Sequence, residues 1–252
     1  LVSQLAPGNL PEIAKSAEIH YHIYTDKTSR ELFGSSLLEL SKYAEINFYY
    51  FDEIPFGGGN LDQAISNSDV KTVKHNVQRL TANHMLSDLK DSAAVLMDSD
   101  FIVADGSLAR MHGLRQKGKR AVMVPLLRLN ETTASPILYE NIAFYLTARN
   151  LVKLCFNHMH PILDAFFMGS KCSTSYPSQL NWWVGKSRQT SSARVGIVTQ
   201  CLFPHPLMIE PDLLARDSGV KYFSTMDYDY ALRVVADDNA IHLSKDSDEI
   251  LI

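Results

Sequence analysis

Cysteine is scarce in this chain. Cys155, Cys172 and Cys201 are odd in number and far apart, so neither a disulfide framework nor a metal-ligand spacing follows, and a cytoplasmic location is the expectation. Long hydrophobic runs are missing too. No stretch approaches the roughly 18 to 20 apolar residues of a membrane span, and no charged-then-apolar leader marks a secretory signal. Positive charge is not in excess: 24 Lys and Arg against 28 Asp and Glu leave a net charge of −4, which gives nucleic acid no electrostatic reason to bind. There is no repeat of fixed period. The one glycine cluster, Gly57-Gly58-Gly59-Asn60, lacks the strand-then-helix setting of a phosphate-cradling loop and reads as a flexible connection.

What is present suits one globular α/β domain. The 252 residues are 46% hydrophobic, enough to bury a core of ordinary size. Residues 1–17, with two prolines and a Gly-Asn turn, read as a lead-in of little order, and 18–252 as the domain proper. The chain lacks an initiator Met and stops in what reads as mid-strand, so it is expected to be excised from something longer. Aromatic and β-branched runs at 19–24 and 46–51 predict the first two strands, with a helix over 29–43 whose face carries Leu32, Ser36, Leu40 and Tyr43. The spacing of Val70, Val73, Val77, Leu80 and His84 predicts a helix over 70–89, with Arg79 and Asn83 beside the stripe. Ser107 is placed to cap a helix running to about Gln116. Residues 121–125 read as a short buried strand, 136–167 as two helices with Thr147 capping the second, and 196–201 and 241–243 as further strands. Between them, 168–195 is a long loop in which nine of 28 residues are Ser or Thr, with Trp182-Trp183 as anchors.

The organising stretch is 93–107. The apolar run Ala93-Ala94-Val95-Leu96-Met97 stops at Asp98-Ser99-Asp100, and Phe101-Ile102-Val103 then leads to Ala104-Asp105-Gly106-Ser107. Such a run reads as the buried middle strand of an α/β sheet, and ligands in these sheets bind beyond the carboxyl ends of the strands. Two carboxylates one residue apart offer hard oxygens to Mg²⁺ or Mn²⁺, which in turn hold phosphate oxygens. Taken alone, the triplet is as well read as a solvated turn.

The order of helix 70–89, strand 93–97, Asp98-Ser99-Asp100 and Asp105-Gly106-Ser107-Leu108 resembles the core of GT-A-type glycosyltransferases. His20-Tyr21-His22-Ile23-Tyr24-Thr25-Asp26 is similar to their first strand. His205-Pro206-Leu207, Asp227-Tyr228-Asp229 and Asp246-Ser247-Asp248-Glu249 resemble the second half of a group of uncharacterised bacterial GT-A-like proteins. The resemblance implies a Rossmann-like, three-layer α/β sandwich with a mixed central sheet, 18–125 forming the nucleotide-binding half and 126–252 the acceptor side. It implies a nucleotide-sugar donor, UDP-linked by default, a glycan or other hydroxyl acceptor, and a role in polysaccharide synthesis. Asp100 then becomes a direct ligand of Mn²⁺ or Mg²⁺, Asp98 faces the ribose or bridges to the cation through water, and His205 is the third ligand. Tyr24, Thr25, Asp26 and Asp52 are the ribose and base contacts, and Arg79, Asn83 and Ser99 lie toward the phosphates. Asp227 or Asp229 is the candidate base for the acceptor hydroxyl. Asp246, Asp248 and Glu249 either line the same cleft or mark a surface turn, and Trp182 or Trp183 could stack on a sugar.

Two rivals carry different chemistry. Leu96-Met97-Asp98-Ser99-Asp100 also resembles the nucleophile loop of haloacid-dehalogenase-like phosphatases, although that loop usually opens the chain. A module that binds a nucleotide sugar without turnover is the non-enzyme reading.

Overall fold

The computed structural model describes residues 1–56, 59–67, 77, 92–184, 196–210 and 238–252. The expected helix 70–89, with Arg79 and Asn83, lies outside them, as do Asp227 and Asp229. The first two strands form within one residue of expectation. β1 (His20–Thr25) and β2 (Glu45–Tyr50) pair in parallel, from His20 opposite Glu45 to Thr25 opposite Tyr50. Their aromatic and β-branched content favours a pleated surface.

The connection between them departs from the predicted single helix. A 3₁₀ turn at Ser29–Phe33 gives way to an α-helix at Gly34–Leu40, with Gly34 at φ +43°. Three residues per turn before Gly34 and 3.6 after it break the phase of the stripe. Leu40 is fully buried, whereas Leu32 is 85% exposed. Gly59 and Asn60, read as part of a flexible connection, lie in a strand instead, since β3 (Pro55–Phe56) and β4 (Gly59–Asn60) form a short antiparallel pair.

The larger sheet has four strands. β5 (Ala94–Val95), β6 (Ala121–Val124), β9 (His205–Ile209) and β10 (Ile241–Leu243) lie in the order β10-β6-β9-β5. β10 runs parallel to β6, and β9 runs antiparallel to both β6 and β5, so the sheet is mixed. The run 93–97 is therefore not the middle strand. It forms the edge of this sheet, and only alternate residues, Ala94 and Leu96, are buried, while Val95 is exposed. All four residues of β6 are buried, as an interior strand requires. β9 escaped the sequence reading because Pro206 sits inside it. The ladder between β6 and β9 shifts register beside that proline, which has no N–H to donate.

Residues 1–17 are not a loose lead-in. Leu10–Ile13 is a helical turn, and Leu10 and Ile13 share one core with Val103, Leu108, Met111, Val122, Val124, Leu207 and Ile250. Asn9 is wholly buried. Its Nδ2 donates to the carbonyls of Ser3 (2.8 Å) and Ala104 (3.1 Å), and its Oδ1 accepts from the Leu108 amide (3.0 Å). Gly8 donates its amide to Asp105 Oδ1, and a Cβ at Gly8 would lie only 2.8 Å from that oxygen.

Helix Ser107–Gln116 has its expected bounds, but the Ser107 hydroxyl does not cap it. Gly106, at φ +87°, holds the cap position, and Ser107 Oγ bonds the backbone of Leu251 instead. Thr147 does cap helix Ala148–Asn157, accepting from the Asn150 amide. A helix at Glu131–Asn141 and a short one at Pro161–Asp164 flank it. The long Ser/Thr-rich loop is in part a hairpin: β7 (Gln179–Val184) pairs with β8 (Gly196–Cys201). Trp183 stacks on Phe167 at 4.6 Å and packs edge-on against Phe156, while Trp182 stays partly exposed.

The cysteines divide by environment. Burial pushes the Cys155 thiol up to about 12 and raises that of Cys201, whereas Cys172 is exposed. The thiolate is the reactive form. A thiol reagent at pH 8 is therefore expected to label Cys172 first and to leave Cys155 unmodified until the chain unfolds. Early labelling of Cys155, read by peptide mass, would contradict this packing.

Candidate functional site

Strand directions decide where the singled-out residues meet. β5, β6 and β10 all run opposite to β9, so the carboxyl ends of three strands share one edge of the sheet with the amino end of β9. Asp98-Ser99-Asp100 follows β5, His205 opens β9, and Lys245 to Glu249 follow β10. At about 4.8 Å per strand, the outermost of these ends stand roughly 14 Å apart.

His205 lies against the acidic turn. Its Nε2 is 3.3 Å from the carbonyl oxygen of Leu96, and its ring meets Phe101 edge-on at 5.0 Å. Leu96 and Phe101 flank Asp98-Ser99-Asp100. The Phe101 amide donates to the Asp98 carbonyl (3.1 Å), closing the turn. Phe101 packs on the core, so the three residues between stand out from the surface. Asp98 and Asp100 are exposed, and among the described residues neither carries an ion pair. The ligand atoms of Asp98, Asp100 and His205 do not gather as one tight cluster in this arrangement.

The tight carboxylate–imidazole group among the described residues lies elsewhere. His20 has Glu18 at 3.4 Å from one ring nitrogen and Glu45 at 3.3 Å from the other, all three at the amino end of β1 and β2. Sequence reasoning missed it. Glu18 and His20 alternate onto one face of the strand, but only the β1–β2 register brings Glu45 opposite.

Of the expected nucleotide contacts, Tyr24 and Thr25 end β1, with Thr25 buried and Tyr24 stacked on Tyr49 at 4.9 Å. Asp26 turns back on its own chain, accepting from the Ser29 amide (2.8 Å) and hydroxyl (2.5 Å). Those bonds hold its carboxyl below the usual range. Asp52 and Glu53 both pair with Lys27, at 3.0 and 2.9 Å, and raise its pKa. Beside them is a groove of about 610 Å³ lined by Lys27, Arg30, Leu37 and Tyr50. Arg30 donates to the Tyr50 hydroxyl (3.0 Å) and lies over the Phe48 ring.

The third acidic cluster is a self-bonded turn. Asp246 Oδ1 accepts from the Asp248 amide (2.8 Å), Asp248 pairs with Arg149 (3.1 Å), and Glu249 lies 2.9 Å from His242 Nε2. Burial opposes ionisation of Glu249, but bonds from His242, the Lys245 amide and Ser244 outweigh it and hold the carboxyl below its usual value. A depressed carboxyl stabilises the fold above its unfolded pKa and loses that contribution as pH falls through the folded one. Unfolding free energy is thus expected to drop as pH falls from about 5 toward 3, with a shallower drop in Glu249→Gln. Equal slopes in urea titrations of the two proteins would refute the pairing.

The fold and these positions define an α/β protein with a mixed sheet. Among the described residues no helix is long and apolar enough to cross a membrane. No protein-family model, curated protein or solved structure matches the chain.

Proposed function

We propose that the chain is a metal-dependent glycosyltransferase of GT-A type, moving a sugar from a nucleotide-diphosphate donor to a hydroxyl acceptor. One observation carries the reading: Asp98 and Asp100, exposed and without an ion pair among the described residues, share an edge of the mixed sheet with His205, where three strands end together. Other acids there are already engaged, as Asp248 is by Arg149 and Glu249 by His242. Carboxylates and an imidazole are donor types that suit Mn²⁺ or Mg²⁺, and a bound ion would draw the three side chains together.

In this reading Asp100 and His205 hold the cation, and Asp98 with Ser99 orients the ribose or a bridging water. The bound ion supplies Lewis-acid neutralisation of the departing diphosphate. The groove at the ends of β1 and β2 takes the nucleoside, with Tyr50 and Arg30 as its walls. The acceptor hydroxyl gives its proton to a carboxylate, the role assigned to Asp227 or Asp229. A UDP-sugar is the default donor and a glycan the acceptor.

Calorimetry on the whole chain with UDP, GDP and CMP, each with and without Mn²⁺, tests the reading. Metal-dependent binding of one nucleotide is expected. Binding indifferent to metal would refute it, and phosphomonoester hydrolysis abolished by Asp98→Asn would replace it with a phosphatase. Metal-dependent binding without transfer to any acceptor would leave a binding module.

A further inference from the structure

A second groove, of about 580 Å³, lies along β10 between helix Ser107–Gln116 and the turn that follows the strand. Three cations line it from three separate segments: Arg110 on the helix, Lys119 ahead of β6, and Lys245 after β10. Among the described residues none of the three has an ion-pair partner. Lys119 Nζ donates to the carbonyl of Asn239 (2.7 Å), which fixes its position and leaves further N–H donors. Three carboxylates share the wall: Asp248 pairs with Arg149 outside the groove, Glu249 lies against His242 on it, and Asp246 accepts from the Asp248 amide.

We infer that this groove binds a small phosphate-bearing anion without a metal ion. An arginine fork grips two phosphate oxygens at once, and lysines add point charges. The volume falls in the range of small-molecule sites. Asp246 keeps one carboxylate oxygen outside its bond to the Asp248 amide, so a hydroxyl on the ligand has an acceptor there. The ligand class is thus a hydroxyl-bearing phosphate ester, such as a sugar or polyol phosphate. The inference does not depend on the sugar-transfer reading, because it uses none of Asp98, Asp100 or His205.

The test is calorimetry of the whole chain with glycerol phosphate and with pyrophosphate, in EDTA. Binding of both is expected, weakened about tenfold or more in Arg110→Ala/Lys245→Ala and by added salt, and unchanged in Asp100→Asn. Arg110→Lys should keep part of the affinity. Both side chains are on the surface, and an unchanged melting temperature checks that the double variant folds. No binding at millimolar ligand, or binding indifferent to the double variant, overturns the inference. So does binding absent in EDTA that appears in a parallel titration with Mn²⁺ and vanishes in Asp100→Asn, which would place the anion at the acidic turn instead.

Discussion

Asp100→Asn is expected to lower Mn²⁺-dependent affinity for the nucleotide at least about tenfold and the rate of sugar transfer about a hundredfold or more. The variant keeps the size and hydrogen-bonding shape of the side chain but removes the charge. Asp100 stands in solvent and supports no described contact of the fold, so the melting temperature should not move. Loss of binding at constant stability is therefore the diagnostic pairing. His205→Ala should weaken metal-dependent binding too. It also removes a ring packed on Phe101, so some loss of stability accompanies it. Wild-type affinity in Asp100→Asn would end the proposal that this carboxylate holds a cation.

Asn9→Ala is expected to have the largest effect on stability. The change strands the Leu108 amide, a donor in the first turn of its helix, in a site closed to water, and takes one of two donors from the carbonyls of Ser3 and Ala104, which keep bonds from the Ala6 and Ser107 amides. A buried group left unbonded costs on the order of 1 to 3 kcal/mol, so the stranded amide and the two weakened carbonyls cost about 2 kcal/mol together. For a chain of this size that lowers the melting temperature by roughly 4 to 8 °C. In urea the midpoint should fall with the slope unchanged. A cost below about 1 kcal/mol would mean that residues 1–17 are not the integral part of the core that their packing implies.

The sequence reading succeeded where local chemistry dominates. β1, β2, β6, β8 and β10 and helix Ser107–Gln116 were legible because short β-branched or aromatic runs, or a helical stretch bounded by glycines, mark them. The Thr147 cap was legible for the same reason. Reading failed where a partner distant in the chain decides. The first 17 residues look polar and broken, yet Asn9 is bonded to groups at 104 and 108. The run 93–97 looks like a buried centre, yet it lies at the edge because β9 inserts between it and β6. β9 itself was hidden by the proline that its bulge accommodates.

The sequence by itself determined the alternation of strands and helices, the acidic turn after an apolar run, and a histidine held between two prolines. Hydrophobic spacing and turn-forming residues act over a few positions, so they are readable without a fold. Tertiary structure alone decided that β9 runs against its neighbours. That reversal places His205 beside a turn more than 100 residues earlier in the chain, and the sheet likewise gathers Arg110, Lys119 and Lys245 around one groove. Strand pairing is a long-range choice made by which faces can be buried together, and no local stretch of residues records it.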